Sequence, residues 1–292
     1  MKKEVSVVIT DLDNTLYDWL YTWHQSFSSL LNVLVEESGV QQDILVNEIH
    51  AVFQKYGTTE YSFLIQEIPS LRKLDPDVDL MKKYDRAVMT YRKQREKIKL
   101  YPTVNETLSG LKKIGCRLVA FTESQKYYTI MRMNILGIDL LFDFVFSPPD
   151  QFSSQVNPDN FRQSHTELCD LKYAQHFNIK KGEHKPNPRI LRQILGKIGA
   201  KKDECIYIGD SLMKDILMAQ EAGVTDVFAR YGQSQDMVAH DLLRRVNHWT
   251  EADIQREKKI SEHSGVISPS YILQSTFAEV MELFDFIPFK LS

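Results

Sequence analysis

The sequence predicts an α/β fold: a doubly wound parallel sheet with a second, all-helical domain set into it. Three observations carry that expectation. From residue 99 onward, short runs rich in β-branched residues alternate with stretches of helical period, as in strands joined by crossover helices. The first such run, residues 5–9, is mostly apolar and rich in β-branched residues, which suits a strand covered on both faces. Between residues 19 and 98 every periodic stretch is helical, so a block of helices enters directly after the first strand. A chain of 292 residues that is 43% hydrophobic can build both parts.

Leu20, Trp23, Phe27, Leu30 and Leu34 recur at three- and four-residue steps and predict a helix closed by Gly39. Leu45, Ile49, Val52 and Tyr56, followed by Gly57, predict a second. A third covers 60–67 before Pro69, and Met81, Tyr84, Val88 and Tyr91 mark a fourth, with Pro76 at its start. Tyr101 and Pro102 mark the return to strands. Residues 103–114 read as a helix closed by Gly115, 117–121 as a second strand, 125–136 as a helix before Gly137, and 144–146 as a third strand. From Pro148 to about Gly182 the periodicity fails, over a length that in compact domains is usually functional or mobile. Ile190, Ile194 and Ile198 line a helix after Pro188. Residues 205–208 read as the fourth strand, 214–222 as a helix before Gly223, and 227–229 as the fifth strand. A polar region, 233–265, follows, with Trp249 expected to be buried against the core. Residues 271–273 and 276–284 read as a last strand and a closing helix. The domains expected are 1–17 with 99–292 for the α/β core, and 18–98 for the helical part.

A formal charge of −3 provides no basic field for nucleic acid. No segment approaches the roughly 18 apolar residues of a membrane span. The apolar run behind Lys2 and Lys3 is too short for a signal peptide. Cys116, Cys169 and Cys205 cannot all pair and lack metal-site spacing, which reads as reduced thiols in a cytoplasmic protein. Neither a nucleic acid nor a membrane is expected as a partner.

Four clusters can carry chemistry: Asp11 and Asp13 with Thr15; Thr122 with Glu123 and Ser124; Lys185 in a proline-rich turn; and Asp210 with Asp215. Singly, each has an ordinary explanation as a cap, a solvated acid or a surface charge. A calcium-loop reading of Asp11 onward fails, because the required glycine is missing and Thr22 stands at the final ligand position. Together they are coherent, since three of the four end predicted strands of one sheet, where α/β proteins bind ligands. A carboxylate nucleophile approaching a phosphoryl group needs a cation between the like charges. Mg²⁺ suits a few carboxylates plus water and phosphate oxygens, and a lysine and a hydroxyl can hold the oxygens that remain.

Asp11-Leu12-Asp13-Asn14-Thr15, Thr122, Lys185 before Pro186-Asn187-Pro188, and Gly209-Asp210-Ser211 with Asp215 resemble the four motifs of the haloacid dehalogenase-like superfamily, over residues 4 to about 230. Tyr101-Pro102 resembles the re-entry to the core in members with a helical cap after the first motif. The resemblance implies a Rossmann-like core, a helical cap hinged at residues 16–20, and Mg²⁺ as cofactor. It implies Asp11 as nucleophile, Asp13 as acid and base, and Thr122 and Lys185 as the remaining catalytic groups. It further implies Thr15, Glu123 and Ser124 as substrate-binding, and Asp11, Asp13 (through its carbonyl), Asp210 and Asp215 around the metal. The implied reaction is hydrolysis of a small phosphorylated metabolite, of nucleotide, sugar phosphate or phosphoglycolate type, through an aspartyl-phosphate. Asp13 speaks against a dehalogenase, which has no leaving alkoxide to protonate. A phosphomutase or other phosphotransferase keeps both aspartates and stays open, as does a regulatory phosphoacceptor or scaffold of the same fold. Two stretches exceed the family pattern: 148–183, expected either to shape the site entrance or an interface or to be a surface insertion, and 233–265. His184 is a further candidate for phosphate contact, against an exposed or capping histidine.

Overall fold

The computed structural model describes residues 2–150, 170–180, 182–233, 236–249, 255 and 267–290. It divides into an α/β unit (1–18, 99–234 and 261–292) and a helical unit (19–98 and 235–260).

The strands in chain order are β1 (Lys3–Val5), β2 (Val7–Thr10), β3 (Arg117–Phe121), β4 (Phe144–Ser147), β5 (Gln175–Asn178), β6 (Cys205–Gly209), β7 (Thr225–Ala229), β8 (Tyr271–Leu273) and β9 (Phe284–Phe286). Seven form one sheet in the order β5-β4-β3-β2-β6-β7-β8, with every neighbouring pair parallel. The chain builds outward from β2 through β3 to β5, then returns to the other side of β2 with β6. The order therefore reverses at β2, and the crevice beyond its carboxyl end is where doubly wound sheets take ligands. Val7, Val8 and Ile9 are all fully buried, which explains why this strand shows no polar alternation. On one face, Val7, Ile9, Val119, Phe121 and Tyr207 pack with the apolar sides of the helices Pro188–Ile198 and Leu217–Ala222.

The helical unit contains Trp19–Ser38, Gln42–Tyr56, Leu64–Glu67, Pro69–Leu74, Leu80–Lys83, Asp85–Arg95 and Met237–Val246. Its own core joins Leu20, Trp23, Phe27 and Leu34 to Leu45, Ile49 and Phe53. The predicted stripes of the first two helices are the buried faces observed.

Several expectations need correction. The first strand divides at Ser6, whose backbone nitrogen and hydroxyl both bond Glu204; β1 instead pairs with β9 in a separate two-stranded sheet. Residues 276–284 are not one helix: the short turns Phe277–Glu279 and Val280–Leu283 run straight into β9. Pro76 starts no helix, and the fourth cap stripe is two helices meeting at Tyr84. The stretch read as aperiodic holds β5, paired along β4. Within the stretch 148–183, for which a role at the site entrance or an interface was expected, residues 151–169, Cys169 among them, lie outside the described residues. Met237–Val246 does not belong with the α/β core. Ala239 and Val246 join the apolar cluster of the helical unit, because this helix packs on Gln42–Tyr56 and Trp19–Ser38. Trp249 is half-buried rather than buried, and its carbonyl accepts from Gln54 Nε2 of the helical unit at 3.0 Å. Among the described residues no helix is long and apolar enough to cross a membrane.

Candidate active site

Beyond Thr10 the chain leaves the sheet in a tight turn. Asp11 N still donates to Ile208 O (2.8 Å), Leu16 N donates to Leu12 O (2.9 Å), and Asn14 N donates to Tyr17 O (2.8 Å). Asn14 adopts φ 57°, a left-handed conformation that a short polar side chain tolerates. The turn sends the side chains of Asp11 and Asp13 to different partners.

Asp11 meets Lys185. The Lys185 ammonium donates to Asp11 Oδ1 at 2.6 Å and to Asp215 Oδ1 at 2.8 Å, with its side chain 3% exposed. Burial alone would discharge it, but the two carboxylates hold its pKa well above the ordinary lysine value. Asp215 is fixed from three further sides. Tyr207 OH donates to Oδ1 (2.9 Å), Ser211 N donates to Oδ2 (3.1 Å), and the carboxylate lies against Gly209, where an added Cβ would sit 2.4 Å from Asp215 Cγ. A π-helical turn, Leu212–Ile216, carries Asp215 back under the end of β6. The Thr15 hydroxyl lies 3.5 Å from both Asp11 Oδ2 and Asp210 Oδ1.

Asp11, Asp210 and Asp215 each offer a carboxylate oxygen within 4.8 Å of the others. One ammonium does not balance three carboxylates, two of them buried and Asp210 half-buried. Burial first, then Asp215 and Asp13, push Asp11 up to about 7 against the pull of Lys185. Burial, then Asp215 and Asp11, push Asp210 well above the carboxylate range. Such a group is satisfied by a further cation, and an all-oxygen donor set suits a hard divalent ion. The Asp13 side chain is not part of this group.

Asp13 faces the end of β3. Ser124 Oγ donates to its Oδ2 at 2.6 Å, Thr122 Oγ1 reaches the same oxygen at 3.5 Å, and Arg132 Nη1 donates to Oδ1 at 3.2 Å. The Thr122 hydroxyl also accepts from Ser124 N at 3.1 Å. Glu123, expected among substrate contacts, has both carboxylate oxygens engaged elsewhere. Oε1 accepts from Lys185 N at 2.9 Å and lies 3.5 Å from His184 Nδ1, while Oε2 accepts from Lys214 Nζ at 2.7 Å. Burial would raise its pKa, but Lys214, His184 and Lys185 override that and hold it well below the usual carboxylate range. Glu123 thus ties the Lys185 turn to the π-turn.

The structure brings Asp11, Lys185, Asp210, Asp215 and Thr15 into one group, and Asp13, Thr122 and Ser124 into a neighbouring one. Sequence reasoning missed Arg132, Tyr207, Lys214, Tyr231 and Gly232. Tyr231 OH donates to Thr15 O at 2.5 Å, and a Cβ on Gly232 would fall 1.7 Å from Asn14 O. A tyrosine at the centre of a strand and an arginine in a helix look like core and surface, and only coordinates reveal their partners.

The family described as haloacid dehalogenase-like hydrolase matches residues 5–223. A glyceraldehyde 3-phosphate phosphatase of Methanopyrus kandleri is 26% identical over 240 residues, covering 80% of this chain and 87% of that protein. The pyrophosphatase PpaX of Halalkalibacterium halodurans is 26% identical over 167 residues, 56% of this chain and 61% of its own. Among solved structures, a phosphatase of the same family from Thermococcus onnurineus shares the fold with a TM-score of 0.54 at 18% identity, covering 96% of this chain and 99% of that one. With the matched span running from β2 through the helix after Asp215, the chain belongs to the haloacid dehalogenase-like hydrolase family.

Proposed function

We propose that this chain is a Mg²⁺-dependent phosphatase that hydrolyses small phosphorylated metabolites through a phosphoryl group carried on Asp11. The observation that carries the reading is Lys185, buried and bonded to both Asp11 and Asp215, inside a trio of carboxylates that calls for one more cation. The names of the relatives, phosphatases of a triose phosphate and of pyrophosphate, support a small substrate and favour the sugar phosphate type.

Asp11, Asp210 and Asp215 would hold the metal, helped by the Asp13 carbonyl. When bound, Mg²⁺ supplies positive charge to the phosphoryl oxygens, so that the Asp11 carboxylate can approach phosphorus. An Asp11 oxygen forms a bond to phosphorus as the ester P–O bond breaks, and the leaving oxygen takes a proton from the Asp13 carboxyl. A water then attacks phosphorus and gives its proton to the Asp13 carboxylate. The bond to Asp11 breaks and phosphate is released. Lys185 balances charge on the phosphoryl oxygens, and the Thr122 hydroxyl and the backbone around Glu123 and Ser124 offer hydrogen-bond donors to them.

Phosphate release across a panel of sugar phosphates, nucleotides, phosphoglycolate and pyrophosphate tests the reading, with and without Mg²⁺. Steady, Mg²⁺-dependent turnover on at least one monoester is expected, with Asp11→Asn, nearly isosteric, losing it while keeping the parent's circular dichroism. About one equivalent of released alcohol, with the phosphoryl group retained on the protein and no continuing phosphate release, identifies a phosphoacceptor instead. Turnover by Asp11→Asn near the parental rate removes Asp11 as nucleophile.

A further inference from the structure

We propose that Arg132, together with Ser124, is the positioning residue that sets the Asp13 carboxylate for proton transfer; this rests on the reading of Asp13 as acid and base given above. Arg132 lies on the helix Lys126–Leu136, with its side chain 2% exposed. Nη1 donates to Asp13 Oδ1 at 3.2 Å and to Ser124 Oγ at 3.0 Å. A guanidinium only donates, so the Ser124 hydroxyl accepts from Arg132 and its single hydrogen is left for Asp13 Oδ2, 2.6 Å away. The three side chains close a triangle in which Arg132 Nη1 donates to both partners and the Ser124 hydroxyl donates to Asp13.

Ser124 is fixed in turn. Its amide donates to Thr122 Oγ1 at 3.1 Å, and its carbonyl accepts from Thr129 Oγ1 at 3.0 Å. The guanidinium also lies over the ring of Tyr128, 5.7 Å from its centroid. Both Asp13 oxygens accept from groups on the segment that follows β3, while the turn after β2 holds its backbone. Rotation of the carboxylate breaks contacts on both oxygens. The Asp13 side chain nevertheless stays 19% exposed, which leaves it an edge for a reacting oxygen.

A guanidinium is expensive to take out of water, and a methionine would fill much of the same space. The charge at this place is explained by the carboxylate it meets. An orienting partner of this kind matters because proton transfer requires the carboxyl within hydrogen-bond reach of the leaving oxygen, and errors of an ångström are costly.

The test is a double-mutant cycle in the full chain with Mg²⁺, reading kcat/KM on phenyl phosphate and p-nitrophenyl phosphate. These esters have nearly the same shape, but the nitrophenolate needs little protonation to leave. Arg132→Met should lower kcat/KM on phenyl phosphate by about tenfold or more, within the range that general acid catalysis contributes. It should lower it less on p-nitrophenyl phosphate, and Arg132→Lys should recover part of the loss. In an Asp13→Asn background the same change should cost less than about twofold, because its effect passes through Asp13. Equal losses on both esters, or in both backgrounds, mean a packing role and overturn the proposal. If Arg132→Met does not fold, Arg132→Lys and Ser124→Ala enter the same cycle with the same criteria. A slow Asp13→Asn beside an unaffected Arg132→Met removes only the positioning role. Asp13→Asn at the parental rate removes the acid–base reading and this inference with it.

Discussion

Asp215 can reach Lys185 because nothing projects from Gly209 into its path. A Cβ there would lie 2.4 to 2.5 Å from three atoms of the Asp215 side chain, and that side chain is held on its other edges by Tyr207, Lys185 and Ser211 N. Gly209→Ala therefore displaces Asp215 rather than being absorbed by slack. We expect the substituted protein to keep its secondary structure but lose about tenfold or more in kcat, the cost of moving a positioning group by about an ångström. Circular dichroism with steady-state rates checks it, and a parental kcat would mean that Asp215 has another acceptable place. Gly209 was already visible in the sequence as the residue before Asp210. Gly232 was not, since its constraint comes from the Asn14 carbonyl, a residue far earlier in the chain. Arg132 was hidden for the same reason: a charged residue at helical spacing reads as surface until Asp13 is known to lie beside it.

At the scale of elements, legibility followed the strength of local pattern. The stripes of Trp19–Ser38, Gln42–Tyr56 and Pro188–Ile198, and the apolar runs of β2, β3 and β6, declared themselves. The edge strand β5 did not, because Gln175, His176 and Asn178 leave Phe177 as its single apolar side chain, stacked on Phe146 at 5.3 Å. Met237–Val246 was not legible either: it lies in a stretch that reads only as polar, with Ala239 and Val246 as its buried residues, packed into the helical unit. The edge strand carries a pH dependence of its own. His176 Nε2 lies 2.8 Å from Ser147 Oγ, and burial, then Lys126, push its pKa down to about 4. An exposed histidine in the unfolded chain titrates near 6.5, so the unfolded state binds more protons between about 4 and 6.5. Stability therefore rises with pH through that window and falls as pH is lowered from about 6.5 toward 4. Urea midpoints at pH 7 and pH 5 should differ by less in His176→Gln than in the parent. Equal differences would show that His176 keeps an ordinary pKa in the fold.

The whole molecule is two cores threaded by one chain, which passes between the units after residues 18, 98, 234 and 260. Every group assigned to the reaction lies in the α/β unit: Asp11, Asp13, Thr122, Lys185, Asp210 and Asp215. All three tryptophans, Trp19, Trp23 and Trp249, lie in the helical unit. Metal binding and tryptophan emission thus report on different parts of the protein. A cation held by Asp11, Asp210 and Asp215, as proposed above, would stabilise the folded α/β unit by about 2.7 kcal/mol at a hundred times its Kd. Since the helical unit has its own apolar cluster, it can melt by itself. Saturating Mg²⁺ should then raise the midpoint followed by circular dichroism of the sheet while leaving the tryptophan transition in place. Asp210→Asn, which replaces a carboxylate by a neutral amide, should reduce or abolish the shift in the first and change nothing in the second. If both transitions move together with Mg²⁺, the two cores unfold as one. If neither moves, the three carboxylates do not hold the ion.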